Sequence, residues 1–437
     1  MKPQKIRHAL TAATCGLLGV NSSDSLGEEG DWSFDSAVLY YSEVDRVTAV
    51  EPVISATRDF GEERALNLKF VFDTLSGASA NGATPSDQPQ TFTRPSGKGA
   101  YTAAAEETPL DDTFRDNRFA LSSQWEQPIN RDYKTGFGIN FSTEYDYRSL
   151  SANANLSRDF NKRNTTLNTG LSLAYDTVNP EGNIPIGLSS MVIDDGQANY
   201  RSEFNATRGD SEENKDILDL IFGLTQVIDR KTIMQVSYSF SDVSGYLTDP
   251  FKIVSVVGDD GRPLEYRYEQ RPDARQKQSL YWQVKHQFAT DILDLSYRYF
   301  WDDWGITSHT VDLRYRWILD GRHYLEPHIR YYDQSEADFY RRFFIQGESL
   351  PDHVSADYRL GNMQALTVGM RYGMTLRNEQ ELSLRLEYYL QSNDNTESVI
   401  PGILNDMELY PDVEAFIVQL SSKLLGHPLS PGPKSPG

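Results

Sequence analysis

Ten residues carry the sharpest chemical pattern in this chain: Lys285, Arg298, Arg314, Arg316, Glu326, His328, Arg330, Arg371, Arg385 and Glu387. Each alternates with apolar neighbours at a spacing of two, which in extended backbone puts them on one face and the apolar residues on the other. Gathered around a water-filled lumen they would form a cationic wall. Asn67, Asn140, Glu144, Asn153, Asn155, Asn168, Ser172, Asp176, Ser237 and Ser239, on earlier segments of the same parity, would form a polar to acidic one. Such a transverse arrangement sets a field across a pore and orients charged or dipolar solutes. The same residues fit a second arrangement equally well, a ladder of cross-strand Arg–Glu pairs that fills the lumen and closes it.

Other constellations do less. Gly136-Phe137-Gly138 lacks the third glycine of a nucleotide fingerprint, and Gly187-Leu188-Ser189-Ser190-Met191 lacks the closing glycine of a nucleophile elbow. His323 and His328 stand five apart on one strand and so point to opposite faces, which excludes a simple metal pair. His309 near Asp302 and Asp303 is the one acid–histidine grouping close to an extracellular turn, and it reads as surface chemistry. Asp111, Asp112, Asp302, Asp303, Asp394 and Glu397 border loops without the spacing of a calcium loop. The sequence therefore predicts no enzyme, no metal site and no cofactor.

The elements that must position the ten residues are strands. Leu293, Leu295, Tyr297, Tyr299 and Trp301 alternate with Asp294, Ser296 and Arg298, and Val311, Leu313, Tyr315 and Trp317 alternate with Asp312, Arg314 and Arg316. At ~3.3 Å per residue and a tilt near ~40°, about ten residues cross a ~25 Å apolar band. Mean hydropathy is -0.55, and no run of eighteen apolar residues occurs, which excludes membrane helices but not a barrel, where only alternate residues meet lipid. The 25 tyrosines and 20 phenylalanines suit strand and girdle positions.

Tight links fall at Glu43–Arg46, Asp59–Glu62, Asn130–Asp132, Asn161–Arg163, Asp229–Lys231, Thr290–Asp291, Asp320–Gly321 and Arg377–Gln380. Long ones run over Ser76–Glu107, Asn179–Lys215, Ser244–Arg275, Ala337–Ser355 and Asn393–Pro411. The expectation is an all-β fold, a single antiparallel transmembrane β-barrel of about sixteen strands, with every tight turn periplasmic and every long loop extracellular. Ser76–Glu107, rich in Ser, Gly, Ala, Thr and Pro, reads as a solvated mobile loop. Asp194-Asp195-Gly196 and Asp259-Asp260-Gly261 read as tips of small hairpins above the barrel.

Residues 1–22 read as a signal peptide, with Lys2, Lys5 and Arg7 ahead of an apolar stretch; Cys15 offers a competing lipidation site but lacks the usual leucine three residues earlier. The barrel is expected over 23–425 and a Pro- and Gly-rich tail over 426–437. Cleavage after Ser22 leaves 39 − 63 = −24 in formal charge and no cysteine. So acidic a chain excludes nucleic acid as a partner. Expected partners are outer-membrane lipid, lipopolysaccharide, the barrel-assembly machinery and a small solute; the sequence does not specify an oligomeric state.

Several phrases resemble the bacterial DUF3570 proteins: Thr11-Ala12-Ala13-Thr14-Cys15-Gly16-Leu17-Leu18-Gly19, Tyr40-Tyr41-Ser42-Glu43-Val44-Asp45-Arg46-Val47, Pro109-Leu110-Asp111-Asp112-Thr113-Phe114, Ser355-Ala356-Asp357-Tyr358-Arg359-Leu360 and Tyr410-Pro411-Asp412. The resemblance spans nearly the whole chain. It implies an exported outer-membrane barrel, often encoded beside periplasmic thioredoxin-like and flavin-transferase proteins, and carries no catalytic residues. The Pro-rich tail departs from the family pattern at the closing strand.

Overall fold

A computed structural model describes residues 32–194, 196–377, 380–394, 399–410 and 412–424. β1 (Trp32–Glu43), β2 (Val47–Asp59) and β3 (Ala65–Ala80) precede a small hairpin, β4 (Gln90–Thr93) and β5 (Ala100–Ala103). β6 (Leu110–Pro128), β7 (Tyr133–Thr143), β8 (Tyr147–Phe160) and β9 (Thr165–Val178) follow, then a short helix α1 (Tyr200–Ala206). β10 (Glu213–Asp229) and β11 (Thr232–Gly245) lead to a second hairpin, β12 (Ile253–Val257) and β13 (Pro263–Tyr268). The chain continues through β14 (Ala274–Gln287), β15 (Ile292–Asp302), β16 (Thr307–Ile318), β17 (His323–Gln334) and the short β18 (Phe343–Ile345). It ends on β19 (Met363–Thr375), β20 (Glu381–Asn393) and β21 (Val413–Leu424).

Sixteen of these strands form one closed antiparallel barrel, and β1 pairs with β21 to close it. The expected fold and strand number are those observed. Alternation explains why: on β7, Phe137, Ile139 and Phe141 are exposed outward while Gly136 and Gly138 are buried inward. On β19, Leu366, Val368, Met370 and Tyr372 face out and Ala365 and Thr367 face in. Exposed large apolar residues recur on strand after strand around the barrel, a continuous belt that water would not tolerate and lipid requires. The strands therefore span a bilayer.

Antiparallel succession places all five long connections, 81–109, 179–212, 246–273, 335–362 and 394–412, at one end. The expectation that every tight turn lies at the other end is corrected. The links 44–46, 144–146 and 303–306 also emerge beside the long loops, because a turn's length does not depend on which end it joins.

Nor is the segment 76–107 a solvated loop. It carries the β4–β5 hairpin, and Ala83, Thr84 and Phe92 are at most 1% exposed. The Asp260 link does form the tip of the β12–β13 hairpin. The loop containing Asp194 instead carries α1; Asp195 lies outside the described residues, as do the expected signal and tail.

The five long loops fold onto one another as a cap. β12 pairs with β13 and, in parallel, with β18. The Ile253 amide donates to Asn81 O at 2.9 Å, the Met191 amide to Tyr266 O at 2.7 Å, and the Ile403 amide to Asp260 O at 2.9 Å. Three loops share a cluster of Ala83, Phe92, Met191, Ile253 and Tyr268; another three share Val257, Phe343, Leu404 and Leu409. Each fully buried large side chain stabilises the cap by about 1.5–3 kcal/mol. No single loop has enough apolar area to fold alone; together they enclose a core.

Candidate functional site

The barrel register puts all ten charged residues of the pattern on the inward face. Across β16, β17, β19 and β20, Arg314 stands opposite His328, His328 opposite Gly369, and Gly369 opposite Glu387. One rung away, Glu326 faces Arg371, which faces Arg385. Strand pairing alone brings these residues together from segments more than fifty residues apart.

Most of the cations meet an acid. Glu326 accepts from Arg316 at 2.7 Å and lies 3.5 Å from Arg371. His328 lies between two carboxylates, 2.9 Å from Asp312 and 2.7 Å from Glu387. Arg314 reaches Asp312 at 3.3 Å, Arg385 reaches Glu387 at 3.6 Å, and Lys285 reaches Asp294 at 3.4 Å. The predicted cationic wall is thus largely a ladder of ion pairs. Asp294 and Asp312 were legible as inward-facing by their shared parity with Arg298 and Arg314, but their neutralising part depends on the register.

Arg298 and Arg330 are the exceptions. Both are exposed to the lumen, and neither has a carboxylate within ion-pair distance among the described residues. The Arg298 guanidinium sits 5.6 Å from the centre of the Tyr281 ring. Asp312 stands opposite Arg330 in the register but is occupied by Arg314 and His328. Two exposed guanidinium groups with no acid partner among the described residues, on a wall otherwise largely neutralised, give the lumen a local positive potential suited to carboxylate or phosphate oxygens.

Halfway around the ring from β17 stands β7, whose inward glycines leave room for amides. A Cβ on Gly138 would meet Gln124 Oε1 at 2.0 Å and Asn153 Nδ2 at 2.6 Å; one on Gly136 would meet Asn155 Nδ2 at 2.6 Å. These glycines are required because neighbouring amide side chains lie flat over them. Asn155 and Asn168 are exposed to the lumen. The wall opposite the arginines is rich in hydrogen-bonding amide groups. Sixteen strands at ~4.8 Å spacing and ~40° tilt give a backbone diameter of roughly 30 Å, wide enough for a solute between the walls.

Towards the cap the lumen narrows. Tyr41, Glu43, Val47 and Ala49, inward-facing at the long-loop end of β1 and β2, are all buried. Tyr41 donates to Glu43 at 2.8 Å, and Arg46 lies 5.7 Å from the centre of the Tyr358 ring from the 335–362 loop. Behind Tyr358 is an ionic core: Arg271 lies 2.6 Å from Glu269 and donates to Asp357 at 2.9 Å, and Arg359 reaches Asp249 at 3.3 Å. Burial would raise the Asp357 carboxyl, but Arg359, Lys252 and Arg271 outweigh it and hold the group well below the usual carboxylate range. Glu269 shifts the other way, up, because its burial outweighs Arg271. Loops 246–273 and 335–362 are locked together by charges that water does not reach.

His309 does not form a group with Asp302 and Asp303. It faces outward and bonds to the Tyr297 hydroxyl at 2.7 Å, while Asp302 accepts from Arg275 Nε at 2.7 Å on the inner face. Their odd and even positions on a common pleat separate them.

The family model described as "Protein of unknown function (DUF3570)" matches residues 7–424. No curated protein matches the sequence. Among solved structures, the chain is similar to CdiB from Acinetobacter baumannii at 9% identity and a TM-score of 0.43, covering 90% of this chain and 60% of that one. It is similar to a bacterial polysaccharide outer membrane secretin at 8% identity and a TM-score of 0.45, covering 92% and 100%. Likewise it resembles the siderophore receptor PirA from Acinetobacter baumannii at 8% identity and a TM-score of 0.41, covering 93% and 61%. The chain spans about three fifths of the length of the first and third of these proteins.

Proposed function

The chain belongs to the DUF3570 family of proteins of unknown function, and from that premise we propose that it is an outer-membrane barrel that conducts small anionic solutes and is gated at its outer mouth by the folded cap. One contrast carries the reading. Inward residues beneath the cap, such as Tyr41, Glu43, Val47 and Ala49, are buried, whereas Arg298, Arg330, Asn155 and Asn168 deeper in the lumen are exposed to water. A lumen that holds water and is closed on one side fits a gated conduit better than a plugged scaffold. Arg298 and Arg330 supply the anion preference, and the amide wall opposite supplies hydrogen bonds to whatever polar groups the solute carries.

The test is conductance in planar bilayers. The native barrel is expected to stay closed most of the time. A variant with the cap loosened, R271A/R359A, is expected to open in discrete steps and pass chloride in preference to potassium, and adding R298A and R330A should remove that preference. A folded, heat-modifiable barrel with a loosened cap and no conductance would overturn the proposal and leave the cap as a docking surface for a partner.

A further inference from the structure

Two arginines on the outer surface of the barrel have no counterpart in the lumen network. Arg58 is the last outward-facing residue of β2, at the short-turn end, and its guanidinium lies 5.8 Å from the centre of the Trp32 ring and 4.8 Å from that of Phe60. Phe60 packs in turn on Trp125, with ring centres 5.3 Å apart. Arg158, outward-facing at the same end of β8, lies 4.9 Å from the centre of Tyr133 and 4.4 Å from that of Phe160. Neither arginine has a carboxylate within ion-pair distance among the described residues, and Arg58 Nε is buried without a hydrogen-bond partner.

That is an unusual place to leave a guanidinium. Three neighbouring cations of the same rim meet an acid: Arg64 meets Glu62 at 3.0 Å, Lys134 meets Glu63 at 2.6 Å and Arg163 meets Glu63 at 3.0 Å. Around the rest of the rim, outward positions carry no lysine or arginine among the described residues. Their polar tips are tied off internally, as His323 is by the Tyr372 hydroxyl at 2.6 Å and Tyr315 by Asp291 at 3.2 Å.

We propose that Arg58 and Arg158 each bind the phosphodiester of an anionic glycerophospholipid in the leaflet at the short-turn end of the barrel. The aromatic rings hold each guanidinium at the depth where headgroups begin, with no acid among the described residues to take up its N–H groups. A planar fork of donors without an acid of its own is matched by the oxygens of a phosphodiester, and the ring faces below it by the first acyl carbons. The pair marks one side of the barrel, from β1 to β8, as the side that holds lipid. On β14 to β20 the contacts at the same depth, such as His323 with Tyr372 and Tyr315 with Asp291, place a barrel in the interface without selecting a headgroup.

The experiment is native mass spectrometry of the full barrel released from detergent in the presence of phosphatidylglycerol or phosphatidylcholine, with R58Q, R158Q and the double variant. Gln keeps a flat polar group over the rings but removes the charge. Wild-type protein is expected to retain up to two phosphatidylglycerol molecules and little phosphatidylcholine. Each single change should weaken retention about fivefold, in line with ~1 kcal/mol per basic residue at an anionic surface. Excess inorganic phosphate is expected to leave the adducts in place. Three outcomes would overturn the proposal: adducts unchanged in a double variant that still shows heat-modifiable folding, equal retention of the two lipids, or displacement by inorganic phosphate, which would make the site one for soluble anions.

Discussion

Replacing Arg342 with Met separates the cap from the barrel in a measurable way. This side chain is 5% exposed, and its guanidinium donates to three main-chain carbonyls on two other loops: Leu409 O at 2.9 Å, Ala83 O at 3.0 Å, and Gly82 O. Met fills most of the volume and removes all three donors. A buried carbonyl left without a partner costs about 1–3 kcal/mol. Three of them amount to roughly 3–6 kcal/mol once some water has entered. That strain falls on the junction of loops 81–109, 335–362 and 394–412, and the barrel hydrogen bonds do not share it. Hydrogen exchange read by mass spectrometry should show the amides of Thr84, Ile253 and Ile403, which bridge loops, exchanging at least about a hundredfold faster at ~1.4 kcal/mol per factor of ten. Strand amides of β7 and β20 should keep their rates. Unchanged cap amides would refute the reasoning, and so would equal acceleration of cap and strands, since that would make Arg342 a determinant of global folding.

Burial pushes the Lys252 ammonium down to about 8, against the attraction of Asp357. Between that value and the ordinary 10.5 the unfolded loop holds a proton that the folded cap gives up, so cap stability should rise with pH across this window and be flat below it. Exchange protection of cap amides, corrected for intrinsic rate, should follow that curve in the native chain and lose it in K252M. Glu326→Gln removes the acid shared by Arg316 and Arg371; in a cap-loosened background the reversal potential should move towards stronger anion preference, and a shift towards cations would contradict the ladder. Asp302→Ala deletes the acceptor of the Trp304 and Ile306 amides at 3.1 and 2.9 Å and the partner of Arg275. About 2–4 kcal/mol of local stability should go with it, read as faster proteolysis at the 303–306 turn with the barrel still heat-modifiable.

The strands were legible because their determinant is local. Lipid on one side and water on the other impose a period of two, and Val311, Leu313, Tyr315 and Trp317 display it within a few residues. Inward parity was legible for the same reason, and all ten charged residues lie where it puts them. Partnership was not, since Glu326 belongs to Arg316 and Arg371 only through the offset of β16, β17 and β19. The cap was invisible for a related reason: Thr84 bonds Ser255, and Arg342 bonds Gly82 260 residues away. Each loop contributes only a few apolar residues to a shared cluster, so none stands out in a window of sequence. Ser76–Glu107 reads as solvated because half of its core comes from elsewhere.

Closure through β1 and β21 also bears on how the chain is made. Partners from Phe34↔Leu424 to Glu43↔Ala415 join ends separated by nearly the entire sequence, and joining ends so far apart costs roughly 5 kcal/mol in chain entropy. Until that seam zips, the growing sheet has two unsatisfied edges, each a template for a neighbouring chain. The first strand to emerge is therefore the one that must wait longest for its second neighbour, and a catalyst that shields its edge would shorten the most aggregation-prone interval of biogenesis.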